Sequence, residues 1–164
     1  MQQLMPINDQ NLSYLNESNF QSFGEFSRDQ LENSTHNSWF VENYNAHPLN
    51  KALVSQIDSL FDDIEVTIYM GTWCEDSQRE VPSFFKIIDS LEANDQVQPI
   101  VALNEDKVSH DGSAEQAGVT NVPTFVFSKD GEEINRIVEF PIISLEQDIL
   151  DILQDKGYKH AYDF

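Results

Sequence analysis

The chain has 164 residues, 29 acidic against 9 basic, a formal net charge of −20 and 40% hydrophobic residues. That length holds one domain with a real core and is too short for two ordinary ones. Such a charge repels phosphate backbones and anionic lipid surfaces, so neither a nucleic-acid nor a membrane partner is expected, and the acidic excess reads as a solubilising surface.

A single cysteine, Cys74, excludes an internal disulfide and makes a reducing compartment the default. The opening Met1-Gln2-Gln3-Leu4-Met5-Pro6 shows no basic residue followed by an apolar run. No stretch approaches the roughly 18 apolar residues of a membrane span. A cytoplasmic monomer is the expectation.

Residues 1–26 are rich in Asn, Gln and Ser, with Phe20, Phe23 and Phe26 as apolar punctuation, and read as part tail, part clip onto the domain. Ser27 with Gln30, and Ser38 before Trp39 and Phe40, are candidate helix starts. Leu49, Leu53, Ile57 and Leu60 share one face of a helix from about Asn50 to Phe61. Ile64 to Met70 is β-branched and aromatic and predicts a strand that ends at Gly71. From Glu75 to Leu91, the set Val81, Phe84, Phe85, Ile88 and Leu91 follows a helical period, with a kink expected at Pro82. Val97 to Leu103 reads as a second strand with Pro99 near its start. Ser113 with Gln116 suggests a capped helical turn closed by Gly118. Thr124–Phe127 and Glu133–Val138 form a hairpin about Lys129-Asp130-Gly131. Ser144 with Gln147 caps a last helix carrying Leu145, Ile149, Ile152 and Leu153.

Chemistry concentrates at Trp73-Cys74-Glu75-Asp76-Ser77, where a strand runs into a helix. The helix dipole and its unpaired N–H groups favour a thiolate there, while Glu75 and Asp76 oppose it. The four histidines are scattered, and none has a ligand partner at recognised spacing, so no metal is expected. The acidic loop near Asn104 and Asp111 does not match calcium-loop spacing. No phosphate loop and no nucleophile elbow is present.

These pieces together resemble the thioredoxin superfamily over about residues 50–155. They are the Trp-Cys-x-x-Ser site after a strand, Pro82 in the following helix, Val122-Pro123-Thr124 before a hairpin, and a final amphipathic helix. The resemblance implies an α/β thioredoxin fold, a central mixed β-sheet flanked by helices, with an N-terminal mostly helical extension. Residues 1–48 would be that extension, 49–157 the domain and 158–164 a C-terminal tail. It further implies a cis Val122–Pro123 bond beside the sulfur, with Cys74 and Ser77 as the reacting positions and Trp73, Val122 and Pro123 facing the substrate.

Three departures follow from the same comparison. Ser77 stands where dithiol members have a second cysteine, so release of an adduct needs an outside thiol. The family's buried acid falls at Ile68. The family's first strand has only Leu12-Ser13-Tyr14-Leu15 as a candidate. The functional expectation is one-cysteine thiol–disulfide exchange on protein thiols or disulfides, with no cofactor beyond glutathione as a co-substrate. The alternatives are a client-binding scaffold and a redox-silent domain.

Overall fold

The computed structural model describes residues 24–164. Its strands are β1 (Gly24–Phe26), β2 (Ile64–Met70), β3 (Ile100–Ala102), β4 (Thr124–Lys129) and β5 (Glu132–Val138). They form one mixed sheet in the order β1-β3-β2-β4-β5, with β2 and β3 parallel and the other neighbours antiparallel. The helices are α1 (Arg28–Glu32), α2 (Asn37–Ala46), α3 (Lys51–Asp58), α4 (Glu75–Leu91), α5 (Ser113–Gln116) and α6 (Leu145–Leu153).

Side chains alternate across a strand, and here the alternation divides two cores. Ile64, Val66, Ile68 and Met70 of β2 join Phe125 and Phe127 of β4 against Val81, Phe84, Phe85 and Ile88 of α4, all buried. Phe84 lies 4.6 Å, centroid to centroid, from Phe125. Burying each such ring stabilises the fold by about 2–3 kcal/mol, so this face supplies most of the driving force. Tyr69, Val101 and Val126 point the other way, into a smaller cluster with Leu103, Ala114, Val119 and Val122.

The extension is tied to the end of α4. Ser27 and Gln30 form a reciprocal capping box at the start of α1. The Arg28 guanidinium donates to Asp89 Oδ2 at 2.8 Å and to Asn94 Oδ1 at 2.7 Å, while the Tyr44 hydroxyl also donates to Asp89. Arg28 additionally sits 4.7 Å above the Phe85 ring.

Several local expectations change. Helix α3 stops at Asp58, which leaves Leu60 40% exposed, and Phe61 takes the buried place instead. The strand expected over 97–103 narrows to Ile100–Ala102; Pro99 has no donor, and Val97 keeps only a bridge to Val66. Helix α2 begins after His36 rather than at Ser38. Ser113 lies inside α5, whose start is capped by the Ser109 hydroxyl accepting from Ala114 N at 3.1 Å and by Asp111 accepting from Ser113 N at 3.0 Å. Leu12–Leu15 lies outside the described residues; among those, the edge position beside β3 belongs to Gly24–Phe26.

Residues 158–164 pack back on the domain. Tyr158 packs against the main core and Asn135 donates to its carbonyl at 3.0 Å.

Candidate functional site

Strand β2 delivers the chain to Gly71, and a turn closed by Cys74 N donating to Gly71 O at 3.0 Å aims it into α4. Cys74 is the N-cap residue, in extended conformation (φ −96°, ψ 126°), and its carbonyl accepts the first helical bond, from Gln78 N at 2.9 Å. Its side chain makes no capping bond to the helix. The sulfur is partly exposed and its thiol donates to the Val122 carbonyl at 3.6 Å. The Val122–Pro123 peptide bond is cis. Cys74, Val122 and Pro123, far apart in sequence, therefore meet at one end of the sheet.

The other two predicted site residues hold this junction from behind. Ser77 is fully buried and its Oγ accepts from Gly71 N at 3.1 Å, locking the end of β2 to the first turn of α4. Trp73 donates from Nε1 to the Leu103 carbonyl at 2.9 Å and packs against the smaller core beside Cys74. The indole lies so close to Gly71 that a Cβ there would stand 2.5 Å from Trp73 Cε2, which is why only glycine fits. Gln78 Nε2 donates to Thr72 O at 2.7 Å and pins the intervening turn.

Of the two acids in the first turn of α4, Asp76 is paired with Arg79 at 2.7 Å; Arg79 also reaches Glu80 at 2.8 Å. Ile68 is fully buried in β2 opposite Phe125, so that position offers no proton-transfer group. Among the described residues no group of three or more His, Cys, Asp or Glu stands together as a metal site, and no helix is long and apolar enough to cross a membrane.

Sequence reasoning did not single out the loop after β5. Glu139 N donates to the Pro123 carbonyl at 2.7 Å, which ties the start of this loop to the cis-proline segment. Glu139 takes a left-handed conformation (φ 73°), uncommon for a residue with a side chain. Beyond it Phe140, Ile142 and Ile143 are exposed at 40%, 53% and 71%. The run Phe-Pro-Ile-Ile, where a turn ordinarily carries polar residues, was the available signal.

No family model matches the chain. A thioredoxin of Chlamydia caviae is 34% identical over 70 residues, which is 43% of this chain and 63% of that protein. The chain thus spans less than two thirds of the relative it matches. A Pseudomonas aeruginosa protein of unknown function superposes with TM-score 0.56 at 14% identity, over 75% of this chain and 86% of that one. An HIV epitope-scaffold superposes with TM-score 0.54 at 14% identity, over 76% and 87%. These two likenesses bear on the fold alone. Over those 70 residues the chain is similar to a thioredoxin, and its own architecture is a mixed sheet flanked by helices.

Proposed function

We propose that the protein performs one-cysteine thiol–disulfide exchange through Cys74. The observation that carries this reading is a partly exposed sulfur at a helix start, 3.6 Å from the Val122 carbonyl, in a chain with no second cysteine. The Cys74 thiolate attacks the glutathione sulfur of a protein–glutathione mixed disulfide; a new S–S bond forms and the protein thiolate leaves. A glutathione thiolate then attacks the Cys74–glutathione bond, giving glutathione disulfide and restoring Cys74. Two glutathione sulfurs end oxidised as one disulfide, and the client cysteine ends reduced. The Val122 backbone beside the sulfur is the edge along which an extended client would pair, with Trp73 packed on the same smaller core.

The test is reduction of a small mixed-disulfide substrate by glutathione, with wild type compared to Cys74→Ser. A wild-type rate no higher than that of the variant would sink the proposal.

A second reading is favoured by the exposed Phe140–Ile143 loop hooked to Pro123 through Glu139: a module that holds a protein client as a long-lived Cys74 adduct. The lifetime of the Cys74–glutathione adduct in excess glutathione separates the two. Rapid clearance supports exchange, and persistence over hours supports holding.

A further inference from the structure

Residues 158–164 run back toward the site. Tyr158 anchors them, its hydroxyl donating to Asp148 Oδ2 at 2.5 Å. Tyr162 N then donates to His160 Nδ1 at 3.2 Å and Asp163 N to the His160 carbonyl at 3.0 Å, a turn that presents the Tyr162 ring. The Tyr162 hydroxyl donates to Glu139 Oε1 at 2.8 Å, and Asn121 Nδ2 donates to the other oxygen of the same carboxylate at 3.2 Å. Glu139 is the residue whose N–H holds the Pro123 carbonyl, so Tyr162 stands one side chain from the Val122–Pro123 wall of the site. The Glu139 hydrogen bond is the main cause that raises the Tyr162 phenol.

Two features argue that this contact is built rather than incidental. Glu139 keeps a left-handed backbone that a side-chain-bearing residue rarely adopts, and its carboxylate is engaged from both sides by Asn121 and Tyr162. Beyond the Tyr162 contact, Phe164 is fully exposed, so the segment is gripped at its two tyrosines and ends loosely.

We propose that residues 158–164 form a strap, latched by Tyr162 on Glu139, which narrows the approach to Cys74 for bulky reactants and leaves it open to small ones. The strap rests on Cys74 being the reacting group of the site, though not on turnover. A protein client must displace Tyr162 to reach the sulfur, whereas a glutathione-sized thiol need not.

The test measures second-order alkylation of Cys74 in the full chain by two reagents, iodoacetamide and a maleimide carried on a long polyethylene glycol chain. Wild type is compared with Tyr162→Phe and with Glu139→Gly, the latter breaking the latch while suiting the left-handed backbone. Each variant is expected to speed the bulky reagent by about 3- to 10-fold, the population change that loss of one charge-assisted hydrogen bond gives, with iodoacetamide unchanged within about two-fold. Equal rates for the bulky reagent in wild type and both variants, or equal acceleration of both reagents, would overturn the strap. Alkylation needs no turnover, so a chain that fails glutathione-dependent reduction yet shows the size-selective gain loses the exchange reading and keeps the strap.

Discussion

Removing the Asp148 carboxylate offers a graded test of how the loop beside the site is held. Asp148 is fully buried in the first turn of α6, and its oxygens accept from Ile142 N at 2.6 Å, Ile143 N at 3.0 Å and the Tyr158 hydroxyl at 2.5 Å. Asp148→Ala strands all three donors. A buried donor left without a partner costs about 1–3 kcal/mol. The two amides belong to residues 53% and 71% exposed, where water reaches them, so they stand at the low end, about 1 kcal/mol each. With the half-buried phenol the expected loss is about 3–4 kcal/mol, or about 6–16 °C in Tm for a chain of this size. Tyr158→Phe removes one bond and should cost about 1 kcal/mol; added to Asp148→Ala it should instead recover about 1 kcal/mol, because it removes the hydroxyl that the first change stranded. Urea unfolding followed by far-ultraviolet circular dichroism reads all four proteins. The reasoning fails if Asp148→Ala lies within about 1 kcal/mol of wild type, or if Tyr158→Phe costs as much as Asp148→Ala.

Burial alone would raise the Asp89 carboxyl, but hydrogen bonds from Arg28, Asn94 and Tyr44 outweigh it and hold the group at about 2, below its unfolded value of about 3.9. Its stabilising contribution is therefore complete above about pH 4 and lost as the pH falls through about 2; Arg28→Ala should flatten this acid limb in urea titrations across that range, and an unaltered limb would refute the assignment. Gly71→Ala drives a methyl group into the Trp73 indole and should cost about 1–3 kcal/mol by overpacking, with a shift in tryptophan fluorescence; wild-type stability and emission would count against the close contact. Ser77→Cys places a second thiol in the buried slot that now accepts the Gly71 N–H, and should raise reduction of a protein disulfide by a dithiol donor above the wild-type rate; no gain would show that the remaining geometry does not support the dithiol reaction. Ser27→Ala removes the α1 capping box and should cost about 1 kcal/mol, read from the urea midpoint.

What the sequence determined by itself is local and periodic. The β-branched run Ile64–Met70, the helical spacing of Val81, Phe84, Phe85 and Ile88, the Asp130-Gly131 turn and the Ser144 cap each express their element within a few residues of chain, and the structure carries all four. Cys74 at a helix start was legible for the same reason. The roles behind it were less so. Ser77 reads equally as a plain helix residue or as a partner of the thiolate; its hydroxyl oxygen accepts from the Gly71 amide, and only folding decides which way a buried side chain turns. Leu60 fits the α3 stripe by spacing, but the helix ends first and Phe61 fills the core, since burial depends on what stands opposite. The meeting of Cys74 with Val122, of Glu139 with Pro123 and of Tyr162 with Glu139 joins residues from 16 to 48 positions apart. No local propensity encodes those distances; they come from a sheet in which β2 lies between β3 and β4, and strand order is settled by the packing of the whole core.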